Sequence, residues 1–327
     1  MRGPPRALII AGILMAASLS ARKARAYVRS VTHPVGQVGL PLKWYSSCET
    51  VTIYLNGFTA MTPDEVAKSI GAAAAAWGPD SVTCPAEVGD GGNGHPYFEI
   101  LPQLAAGGSA PDAGNDQKNS IIFETTPSND LAAEVLAFTE VSKAPDGQIV
   151  DADIEINAAN PDVVWANLDP GAPPPKHGQI PFDLQTVMTH EFGHFLGLAH
   201  TCVGTSTYST MGGDVDSDSP DPGSDDSEGL LIPYCTDPPD SSNATQAEAV
   251  MWYVIDSDSI TKRVLTTDDA RGVCAIYPSS GDPHSCTQNL PDDGCGCATA
   301  GAAPGPLAAV TLAAFALAAR RRRRRRS

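Results

Sequence analysis

The stretch His190-Glu191-Phe192-Gly193-His194-Phe195-Leu196-Gly197-Leu198-Ala199-His200 can act as a unit only on a helix that ends inside it. His190 and His194 are four apart, so on a helix they share one face and can grip one metal ion. Gly197 stands where that helix must turn, and glycine adopts the left-handed conformation that ends helices. The turn returns His200 as a third ligand. Three imidazoles leave a fourth tetrahedral position open, as a catalytic zinc site requires. Glu191 lies beside them, where a carboxylate can take a proton from metal-activated water. Short H-E-x-x-H strings also occur by chance in helices. The added Gly and third His at set offsets separate this one from that background.

Around this stretch the chain alternates strand and helix signals. Val51–Asn56 is β-branched and aromatic and reads as an opening strand. Thr62 is a predicted N-cap, with Pro63 at the first helical position and Glu65 completing a capping box. That helix runs to Trp77, where Gly78-Pro79 ends it. Pro96–Leu101, Ile121–Glu124, Val135–Thr139 and Gly147–Asn157 read as further strands. Asp183 is the predicted N-cap of the histidine helix, which runs to Leu196. Val187, Phe192 and Phe195 should face the core while His190 and His194 face a cleft. In the last strand Asp151, Asp153, Glu155 and Asn157 alternate onto one face. They read either as a solvated polar face or as candidate calcium ligands, with Asp151, Asp153 and Glu155 the carboxylates.

The histidine stretch resembles that of the metzincin zinc metallopeptidases. Thr201, directly after the third His, matches the matrixin-like branch. The resemblance covers roughly Lys43 to Pro278. It implies an α+β zincin fold: a twisted mixed β-sheet with two helices, a zinc cleft and a smaller C-terminal subdomain with one helix. It also implies zinc on His190, His194 and His200, with Glu191 as general base. A methionine should lie in a tight turn beneath the zinc ligands. Met211 is nearer in sequence. Met251 is favoured because Leu265-Thr266-Thr267-Asp268-Asp269-Ala270-Arg271-Gly272, shortly after it, resembles the last matrixin helix. Residues 201–250 are then an acidic insertion. Matrixins also place metal ligands in the strand before the zinc helix, which adds weight to calcium on Asp151, Asp153 and Glu155, although a solvated polar face remains the favoured reading. No cysteine-switch sequence lies between Tyr27 and the first strand.

The two ends carry addresses. An apolar run from Ala7 to Leu19 follows Arg2 and Arg6, and Ala24-Arg25-Ala26 offers a signal-peptidase site. Residues 1–26 are therefore expected to be a signal peptide, with 27–42 a short N-terminal segment and 43–283 the catalytic domain. Residues 284–306 read as a linker containing Cys295-Gly296-Cys297, and 307–327 as an apolar helix followed by seven Arg, Arg320 to Arg326. This tail resembles the MYXO-CTERM sorting signal of myxobacterial surface proteins. It implies removal of the tail, a membrane anchor near Cys295 or Cys297, and a cell-surface or released protein. A nucleic-acid-binding arm is the rival reading of the Arg run.

Charge bears on that rivalry. Twelve of the 21 Lys and Arg lie before Tyr27 or after Ala319, while all 38 Asp and Glu lie between. The intervening region is thus net about −29, with nine basic residues. Nucleic acid is excluded as a partner, and protein or peptide substrates are expected. Eight cysteines in an exported chain predict disulfides. Cys48 with Cys84 and Cys202 with Cys235 are the expected pairs. Cys274 could instead take either partner, and Cys286 is expected free or paired within the tail. The expected function is a secreted zinc endopeptidase. The alternative is a cell-surface binding or adhesion protein with a vestigial zinc site.

Overall fold

A computed structural model describes residues 27–32, 39–86, 88, 94–111, 113–127, 131, 135–170, 180–202, 235, 239, 244 and 246–287. The signal, the sorting tail, Met211 and most of the acidic insertion lie outside the described residues.

The chain is α+β. Its elements run β1 Val28–Arg29, β2 Cys48–Tyr54, α1 Pro63–Trp77, β3 Glu99–Leu104, β4 Ser120–Glu124, β5 Ala137–Lys143, β6 Ile149–Asn157, β7 Val163–Ala166, β8 Ile180–Asp183, α2 Leu184–Phe195, β9 Leu198–Ala199, α3 Thr267–Ile276 and β10 Cys286–Thr287. Five strands form a mixed sheet in the order β3-β2-β4-β6-β5, and the short β10 also pairs with β2. All pairs are parallel except β5 with β6, which leaves β5 as an antiparallel edge. Two small sheets pair β1 with β9 and β7 with β8, and in sequence β8 directly precedes α2 while β9 follows it.

Local chemistry sets the helix ends. Thr62 and Glu65 form the expected reciprocal capping box on α1. A second box, Thr266 with Asp269, opens α3. Asp183 caps α2 by accepting from Thr186 N at 2.8 Å. Both long helices pack on the sheet and on each other. Trp77 of α1 donates its indole N–H to Thr189 O of α2 at 2.8 Å. Val66, Ile70 and Ala73 of α1, Val187, Phe192 and Phe195 of α2, and Val51, Ile121, Phe123, Ile154 and Ile156 of the sheet are fully buried in one cluster. Removing this apolar area from water is the main drive for the fold, at ~25 cal/mol per Å².

Strand limits follow partners more than composition. Pro96–Leu101 was the expected strand, yet β3 starts at Glu99, because its ladder runs from Cys48↔Glu99 to Ile53↔Leu104. Pro96 instead bridges Pro278, at the far end of α3.

Two expectations need correction. Cys48 does not pair with Cys84: the bridges are Cys48–Cys286, Cys84–Cys274 and Cys202–Cys235. The β10-β2 pairing puts Cys286 opposite Cys48, a long-range contact that linear spacing cannot reveal. Nor is the acidic face of β6 solvated. Asp151 and Asp153 are buried beneath residues 113–120. Asp151 Oδ2 accepts from Asp116 N and Gln117 N, and Asp153 accepts from Gly114 N and Ser120 N, all at 2.7–2.9 Å. These carboxylates are themselves buried, and the loop amides give them the hydrogen bonds that water no longer supplies.

Candidate metal centre

The three histidines of the motif converge. Their Nε2 atoms are 3.2 Å apart in each of the three pairs. Four-coordinate zinc with Zn–N near 2.0–2.1 Å needs ligand nitrogens roughly 3.3 Å apart, so the triangle is the right size. His190 Nδ1 lies 2.7 Å from Val250 O and His194 Nδ1 2.9 Å from Leu198 O. A carbonyl only accepts, so each Nδ1 carries the proton and each of those Nε2 atoms presents a lone pair. Lone pairs facing one another at this distance repel, and a cation between them removes the conflict. Burial first, and then repulsion from His194, holds His190 and His200 well below the usual imidazole pKa, in the neutral form that binds metal.

The helix carrying two of these ligands is clamped at both ends. At its start Asp183 is fully buried, and Arg263 grips it with Nε at 2.7 Å and Nη2 at 2.5 Å. Burial alone would raise the Asp183 pKa. The Arg263, Leu168 and Thr186 hydrogen bonds outweigh it and hold the carboxyl below its ordinary value. At its end, carbonyls lacking helical partners are taken up by distant groups. Trp44 Nε1 donates to Phe195 O at 2.8 Å, Tyr277 Oη to Leu196 O at 2.9 Å and Ser30 N to Gly197 O at 2.9 Å. Gly197 has φ +92°, and a β-carbon there would fall 2.7 Å from Leu42 O, so the turn to His200 needs glycine.

Met251 lies against this helix. A β-carbon built on Gly193 would fall 2.0 Å from Met251 Sδ, so the sulfur occupies the notch the glycine leaves in α2. Met251 is buried, and its carbonyl accepts from Thr201 N at 3.0 Å. Asp269 fixes this turn from α3 by accepting from Val250 N at 3.0 Å. Because Val250 O holds His190, the cap of α3 reaches the histidine cluster through two hydrogen bonds. Lys262, buried nearby, donates to Val254 O at 2.7 Å; burial lowers its pKa to about 8.

Glu191 is buried beside the cluster, and Thr139 Oγ1 on β5 donates to its Oε2 at 2.6 Å. Among the described residues, the histidine triad alone brings three or more metal-ligating side chains within 4.8 Å of one another. Asp151, Asp153 and Glu155 form no such group. The site can hold a metal ion through three imidazole nitrogens, and Glu191 directly follows the first of these histidines on α2. Thr139, Trp44 and Arg263 hold the helix or the Glu191 carboxylate and stand in no recognisable sequence motif. Among the described residues no helix is long and apolar enough to cross a membrane. Searched against models of known protein families and against curated proteins, the chain matches none.

Proposed function

We propose that this chain is an exported, zinc-dependent endopeptidase of the metzincin type, with the matrixin-like pattern. The observation that carries the reading is the triangle of three Nε2 atoms 3.2 Å apart with Glu191 buried beside it. Three nitrogen ligands in tetrahedral spacing suit zinc. When bound there, zinc supplies Lewis acidity, which makes a water more acidic and polarises a carbonyl. The rest falls to the protein. Glu191 takes the proton of the attacking water and returns it to the leaving amine. β5, the sheet edge nearest Glu191, offers main-chain groups to which an extended peptide can add as a further strand. Met251 against Gly193 and the Asp269 cap support the metzincin plan. Three disulfides are typical of exported proteins. In the same reading the tail from Cys295 to Arg326 is a processed surface anchor.

Glu191→Gln should keep stoichiometric zinc by elemental analysis and lose ~10²–10⁴-fold in peptide cleavage. Chelation should abolish wild-type cleavage, and added zinc should restore it. Zinc-loaded wild type that cleaves no peptide in a diverse mixture excludes the reading and favours the binding protein.

A further inference from the structure

We propose that Thr139 is a positioning residue for Glu191, its hydroxyl holding the carboxylate in the orientation that proton transfer needs. This rests on the peptidase reading above.

Thr139 sits on β5, opposite the fully buried Ile154 of β6. Side chains alternate along a strand, so Phe138 and Glu140 point outward while Thr139 points inward towards α2. Its Oγ1 is 2.6 Å from Glu191 Oε2 and 3.3 Å from Glu191 O. The single proton serves the nearer, carboxylate oxygen, at the length of a charge-assisted O–H···O⁻ bond. The bond comes from a residue stiff at χ1 on a strand paired along its length, so little freedom is lost in making it. Glu191 has three side-chain torsions, and its neighbour on the helix is a metal ligand. Only some rotamers of the carboxylate face a water in the open coordination position, and the Thr139 bond biases the choice among them. The hydroxyl restricts rotation about the last torsion. It need not touch substrate to do so.

The test pairs Thr139→Val, which keeps the shape and deletes the hydroxyl, with Thr139→Ser, which keeps the hydroxyl. Zinc-loaded proteins are assayed on one fluorogenic peptide chosen from a casein digest made by the wild type. Thr139→Val should lower kcat ~10-fold or more with KM and zinc content unchanged, and Thr139→Ser should restore most of it. Crystal structures of the metal-free variants give a readout independent of activity. The Glu191 carboxylate should turn away in Val and stay in Ser. An unchanged kcat in Thr139→Val, or a Ser variant as impaired as Val, overturns the role while leaving the peptidase reading intact. A zinc-loaded wild type without cleavage overturns both.

Discussion

The residue with the most informative titration is Asp153. Burial raises its pKa to about 6, against hydrogen bonds from Gly114 and Ser120 that pull it down. The carboxyl carbon of Asp153 in metal-free protein should therefore titrate near pH 6 by NMR; a midpoint near 4 would show that burial is not felt. Its folded pKa exceeds the unfolded value of 3.8. The stabilisation it contributes is thus complete below about 3.8 and is lost as pH rises through about 6. Asp183 has the opposite sign. Its depressed pKa gives stability that is present above the ordinary carboxylate range and lost as pH falls through the folded value. In denaturation series, Asp153→Asn should lessen the decline between pH 4 and 6, to which the buried Asp151 and Asp269 carboxyls also contribute, and leave the acid limb in place. Calcium on Asp151, Asp153 and Glu155 would pull the Asp153 midpoint down, and the same titration with added calcium reads that directly.

At the scale of the element, α2 matters because two of three metal ligands ride on it. Its N-terminus is tied to Arg263, 80 residues on, and its C-terminus to Trp44, Tyr277 and Ser30. Asp183→Ala removes the N-cap and leaves the Arg263 guanidinium, only 12% exposed, without its buried partner. The expected cost is roughly 2–4 kcal/mol by urea unfolding, from the lost cap and the lost buried hydrogen bonds to a guanidinium that still pairs with Asp169. Asp183→Asn keeps the cap and should cost less. Metal affinity should fall along with stability if the clamp sets the spacing of His190 and His194. A stable Asp183→Ala protein with unchanged affinity would show that the core alone positions the helix.

The whole molecule is closed by two nested long-range bridges. Cys84–Cys274 joins the segment after α1 to α3, and Cys48–Cys286 joins β2 to β10. Each constrains the unfolded chain over most of its length, worth roughly 2–5 kcal/mol. Nesting makes them non-additive: with one bridge intact the ends of the other loop are already near one another. Cys84→Ala/Cys274→Ala should lower the melting temperature moderately. Removing all four cysteines should cost more than the sum of the two separate pairs. Strict additivity would mean that the two loops close independently in the unfolded chain.

Much was written locally. His190, Glu191, His194 and His200 carry their chemistry in offsets of one, four and ten residues, and helix geometry alone turns those offsets into a shared face. Caps at Thr62 and Asp183 are equally local, since a side chain three residues away satisfies an amide that any helix leaves open. The acidic face of β6 was legible as a face, but not as buried, because its cover is a loop more than thirty residues away. The disulfide partner of Cys48, the grip of Arg263 on Asp183 and the hydroxyl of Thr139 on Glu191 join residues 52 to 238 positions apart. No periodicity encodes such pairs. They exist only once the sheet order and the packing of α2 bring distant strands and helices within hydrogen-bonding distance, so tertiary structure alone decided them.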